Sequence, residues 1–117
     1  MKNYTPARLY QGQPLTEEGT LTLTPFSAQL VPVSTKVIVK QVVIANTKNT
    51  ASKIALSLVT SGETADATNR ILPDMEIEPN TTIVVDLSQV MEAGDFLSAK
   101  QGTEGAITIT ISGVVVA

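Results

Sequence analysis

The chain has 117 residues, of which 43% are hydrophobic, and a formal net charge of −3 at pH 7 with a pI near 4.8. It contains no Cys, His or Trp and only two Tyr and two Phe. This excludes a disulfide framework, a Cys or His metal site, a catalytic thiol and an imidazole base, and the acidic balance argues against a nucleic-acid partner held by phosphate contacts.

Length and hydrophobic content suit one domain with its own core. Val, Ile and Thr number 13, 9 and 16, and such β-branched side chains favour a pleated surface over a helix. The expected fold class is all-β, a single antiparallel β-sandwich occupying residues 19–117 behind an N-terminal arm of residues 1–18. In that arm Tyr4 and Tyr10 flank Pro6 and are the candidate anchors that tie it to the body or to a neighbour. The opening Met1–Pro6 shows no apolar run of an export signal. No apolar stretch approaches the roughly 20 residues of a bilayer span, so a soluble product of a cytoplasm with no membrane partner is expected.

Alternation of period two predicts the first body strand at 20–24, Thr20-Leu21-Thr22-Leu23-Thr24. The next, 35–46, breaks the rule, because Val37-Ile38-Val39 and Val42-Val43-Ile44 are apolar on both faces. Ile83-Val84-Val85 and Val114-Val115-Val116 do the same. Two explanations fit: a strand through the middle of the sandwich with a bulge at Lys40-Gln41, or a seam between subunits where the outer face is dry too. The candidate interface residues on the second explanation are Val37, Val39, Val84 and Val115.

Further strands are expected at 52–59, at 69–77 with an interruption at Pro73, and at 81–86. Pro79-Asn80 suits a type I turn pairing Met75–Ile77 with Ile83–Val85. Asp86–Gly94 reads as one short helical turn near residues 87–93, with Asp86 as N-cap, Gln89 as its capping-box partner and Gly94 at C′. Strands at 95–100 and 106–116 complete the chain. Residues 1–53 carry a net +4 and residues 54–117 a net −7, which cancels in space if strands of both halves interleave.

The search for chemistry returns little. Asp74, Glu76 and Glu78 could form an acid/base pair only in an apolar setting, and their alternation with Ile77 makes them a solvated face. Glu63, Asp66 and Asn69 offer oxygen ligands in a polar loop, but their spacing is not that of an EF-hand, and an exposed loop explains them. No phosphate-binding glycine motif occurs. No catalytic residue, metal ligand, cofactor or small-molecule substrate is expected.

Across nearly its whole length the chain resembles the small virion proteins of tailed bacteriophages and prophages. The likeness rests on Tyr4-Thr5-Pro6 with Leu9-Tyr10-Gln11-Gly12, Val43-Ile44-Ala45-Asn46-Thr47 and Ala55-Leu56-Ser57-Leu58-Val59. It continues with Pro79-Asn80-Thr81-Thr82, Met91-Glu92-Ala93-Gly94-Asp95 and Ile107–Val114. It departs from that pattern between Thr24-Pro25-Phe26 and Pro32-Val33. The resemblance implies a jelly-roll-like sandwich with no enzymatic activity, forming a symmetric homo-oligomer, a trimer for choice, in contact with other virion proteins. It would sit in the virion, after synthesis in the host bacterial cytoplasm, as a capsid decoration or cement protein or as a neck or tail fibre or adaptor subunit. A receptor- or carbohydrate-binding module of a tail fibre is the alternative. A cupin-like enzyme is disfavoured by the absence of histidine.

Overall fold

The runs richest in Val, Ile and Thr become the longest strands. The computed structural model describes residues 3–117, and these form β1 (Tyr4–Gly12), β2 (Gly19–Thr20), β3 (Lys36–Asn46), β4 (Ser52–Val59), β5 (Arg70–Ile77), β6 (Thr82–Met91), β7 (Phe96–Gln101) and β8 (Ile107–Val116). One sheet has the order β1-β8-β3-β6 and the other β2-β7-β4-β5, with antiparallel pairing throughout. Only the step from β4 to β5 stays within a sheet. At every other connection the chain crosses to the opposite layer, which makes the sandwich a jelly roll.

The core lies between the two layers. Val37, Val39, Val42 and Ile44 of β3 and Ile107, Ile109 and Ile111 of β8 meet Ile54 and Leu56 of β4 and Leu97 of β7, all of them fully buried. The filling is aliphatic, and Phe26 and Tyr10 pack only at its margin. Strands of the basic and the acidic halves alternate in the β1-β8-β3-β6 sheet, whereas β7, β4 and β5 of the other sheet come almost wholly from the acidic half, so the charge asymmetry cancels chiefly in the first sheet. Lys36 pairs with Glu92 at 3.5 Å and Arg70 with Glu18, each pair joining the two halves.

The bulge expected at Lys40-Gln41 is present: the register of β3 shifts between Val39 and Gln41 against both of its neighbours. β1 shifts at the same level, between Arg8 and Tyr10. Between the two bulges runs Gly113 of β8, where a Cβ would stand 2.0 Å from the Ile38 carbonyl oxygen. Only glycine allows that approach.

Three local expectations are corrected. Residues 87–93 are not helical. β6 continues to Met91, because pairing of Val37 with Met91, Ile38 with Val90 and Val39 with Gln89 satisfies the backbone as a ladder, and tertiary pairing overrides a local capping signal. The helical element among the described residues is a 3-10 turn at Thr24–Phe26, opened by Pro25, and it cuts the strand expected at 20–24 down to Gly19–Thr20. Pro79-Asn80 does not join a hairpin, since β5 and β6 lie in different sheets and Asn80 adopts φ 51°. The interruption expected at Pro73 is present: the pairing of β5 with β4 passes from Leu72 to Met75 and leaves Pro73 and Asp74, the latter at φ 42°, unpaired on an edge strand.

Of the segment expected as an arm, Tyr4–Gly12 pairs along β8, while Met1 and Lys2 lie outside the described residues. The loop after β1 is fastened by Gln101. Its buried amide donates to the carbonyls of Pro14 and Ile107 and accepts from the Ile107 N–H. Asn46 likewise donates to the carbonyls of Thr50 and Ile77 and accepts from the Lys48 N–H. Asp95 accepts from the N–H groups of Ser61 and Glu92.

Candidate functional site

Successive side chains of a strand point to opposite faces. With Val37, Val39, Val42 and Ile44 inside, Ile38 and Val43 must point away from the core, and the register extends that assignment across the sheet. Pro6, Val114, Ile38 and Val90 form one row on the outer face, flanked by the row Tyr4, Val116 and Lys36. Next comes a polar row of Arg8, Ser112, Gln41 and Asp86, and then Gln11, Thr110, Val43 and Val84.

The outer face of the β1-β8-β3-β6 sheet is therefore apolar at one end and banded with polar groups at its middle. Tyr4 is 68% exposed, Val84 54% and Val90 52%. Tyr4, Lys36, Ile38, Val90 and Val116 line an open depression of about 400 Å3. In the polar band Gln41 Nε2 donates to Asp86 Oδ1 at 3.3 Å, and Lys40 Nζ donates to Ser88 Oγ at 3.1 Å. A face of this kind can bury apolar area against a partner while its polar band fixes orientation.

The residues singled out from the sequence separate on this structure. Val37 and Val39 are fully buried in the chain's own core, so they cannot line a subunit seam. The bulge at Lys40 sets the parity of β3 so that Ile38, not its neighbours, faces out. Val115 pairs with Val37 and shares its inward side, half-buried. Val84 is exposed on the outer face. Tyr4 lies on that face beside Val116, whereas Tyr10 is half-buried against the core, and that burial raises its phenol above its ordinary value. Ile38, Val114, Val116 and Val90 join Val84 and Tyr4 on this outer face. Ile38, Val114 and Val116 belong to the double-faced apolar runs of the sequence, whereas Val90 lies in the segment whose capping signal points to a helical turn.

The other sheet carries a polar cluster on its outer side. Glu18 accepts from Arg70 Nη2 and from Ser98 Oγ, and Arg70 Nη1 donates to Ser57 Oγ. Burial alone would raise the Glu18 carboxyl. The hydrogen bonds from Arg70 and Ser98, with the charge of Arg70, outweigh it and hold the group below its ordinary value. This cluster pins the loop ahead of β2 across β4 and β7. The oxygens of the 61–69 loop are spent on its own turns: Asp66 Oδ1 accepts from the N–H and hydroxyl of Thr68, and Asn69 Oδ1 accepts from the Asp66 N–H. Among the described residues no three His, Cys, Asp or Glu side chains gather as a metal site.

No protein-family model and no curated protein matches the sequence. Solved structures do match the fold. A structure of the Gx strain of infectious bursal disease virus aligns with 99% of this chain at a TM-score of 0.56 and 11% identity. This chain spans 33% of that one, about a third of its length. The tobacco streak virus coat protein dimer aligns with 99% of this chain and 84% of its own at a TM-score of 0.51 and 8% identity. At such identities the likeness is one of fold, and the fold shared is the eight-stranded sandwich described above.

Proposed function

We propose that this chain is a non-enzymatic structural protein of a tailed-phage virion. In this reading it is a homo-oligomeric sandwich subunit fixed to the capsid surface as a decoration or cement protein, or to the neck or tail as a fibre or adaptor. The observation that carries the reading is the outer face of the β1-β8-β3-β6 sheet, where Tyr4, Val84 and Val90 stand exposed around Ile38, Val114 and Val116. A viral coat protein described as a dimer shares the fold, and the phage resemblance of the sequence supplies the particle type.

The mechanism is passive. Two sheets close on an aliphatic core and hold the outer face rigid, so little order is lost when it docks. A standard seam covers about 800 Å2 per copy, about an eighth of the 6297 Å2 surface of this chain. The resemblance implies three copies, and closed symmetry of any order gives each copy the same contact. The glycan-binding alternative finds less support, because Tyr4 is the one widely exposed ring among the described residues.

Mass spectrometry of particles purified from a phage or induced prophage encoding this chain tests the reading. The chain should copurify at the stoichiometry of a structural component. Its absence from complete particles would contradict the proposal.

A further inference from the structure

A β-sandwich has four sheet edges, and an unprotected edge is a template for pairing with another chain. Three edges here are blunted. β1 carries Pro6, Arg8 and a bulge; β2 is two residues long; β5 carries Pro73, Asp74 at φ 42° and Glu76. β6 is different. It runs ten residues without proline and its one charged side chain is Asp86, while its register against β3 shifts where Leu87 and Ser88 stand opposite Lys40 alone. Among the described residues no strand pairs with its outer side and no backbone bond from another segment reaches residues 83–90 there.

We infer that β6 pairs antiparallel with β6 of a second copy of this chain, across a two-fold axis centred on Leu87. The centre is chosen by the side chains. It sets Val84 of one copy opposite Val90 of the other, the two exposed apolar residues of the strand. It also sets Asp86 opposite Ser88, whose hydroxyl accepts from Lys40. Each carboxylate then faces the ammonium of the other copy, twice per seam. Centring on Asp86 instead would oppose the two carboxylates, which is unfavourable. Even-numbered residues of both strands share the outer face, so the two outer faces join into one and the sheet becomes continuous over eight strands. This rests on the oligomer reading above and names its contact.

The test is sedimentation equilibrium on the whole chain and two double variants. Both alter exposed side chains only, with circular dichroism confirming the sandwich. Val84→Lys/Val90→Lys places like charges opposite each other and should raise the dissociation constant at least about tenfold. Val84→Glu/Val90→Lys places opposite charges across the seam and should return association to near that of the unaltered chain. The unaltered chain should show twice the monomer mass or an even multiple of it. If both variants dissociate alike, or neither does, the β6 contact is overturned. A stable three-copy complex that ignores both variants would overturn this contact while leaving the oligomer reading intact. A monomer at all concentrations would remove both.

Discussion

At Gly113 a single methyl group decides the packing. A Cβ there meets the Ile38 carbonyl oxygen at 2.0 Å and approaches Leu9, and neither backbone can yield without disturbing the bulges on both sides of β8. Gly113→Ala should lower stability by about 2–3 kcal/mol in urea unfolding; a change below about 0.5 kcal/mol would show that the strands are not so closely set. Val39 and Val84 make a second contrast. Val39→Asp puts an unpaired carboxylate into a dry core and should abolish folding, while Val84→Asp should leave the circular dichroism spectrum unaltered. The inward assignment of Val42 and Ile44 follows from alternation alone. That of Val37 and Val39 needs the bulge at Lys40, which flips the face of everything before it. The roles of Asn46 and Gln101 were not legible, because each clamps groups distant in sequence: the Pro14 carbonyl lies 87 residues from Gln101.

At the scale of elements, β3, β4, β7 and β8 appear where periodicity places them, within about a residue. β1 and the second half of β6 do not, and for one reason. Tyr4–Gly12 and Asp86–Met91 have weak internal alternation, and each is held in place by a long partner strand, β8 and β3 respectively. Local signals such as Asp86 with Gln89 describe what a segment would do alone. The loop between β1 and β2 supplies a pH test. The Glu18 carboxyl is held below its ordinary value, which is 4.5, by Arg70 and Ser98. Its contribution is therefore complete above pH 4.5 and is lost as the pH falls through the lower folded value. Unfolding measured between neutral and acid pH should show that loss, and Glu18→Gln should be less stable at neutral pH and flatter below pH 4.5. An identical acid profile for both proteins would detach Glu18 from the stability of the loop.

For the molecule as a whole, the sandwich solves the problem of its core within one chain, and what it leaves over lies outside. Val37 and Val39 belong to the core, so the surplus is carried by Ile38, Val84, Val90, Val114 and Tyr4 on one sheet face and along one open edge. The need for a covered second face was legible in the double-faced apolar runs; which residues carry it depended on strand register, which no single stretch of sequence contains. The same register makes the face suitable for identical copies, with one apolar end and a polar band holding both Lys40 and Asp86. The most direct test is the mass of the unaltered chain at sedimentation equilibrium up to roughly 100 μM, a range that captures even weak specific contacts. A mass of two or more whole multiples of 12.3 kDa is the predicted result, and 12.3 kDa throughout that range would contradict it.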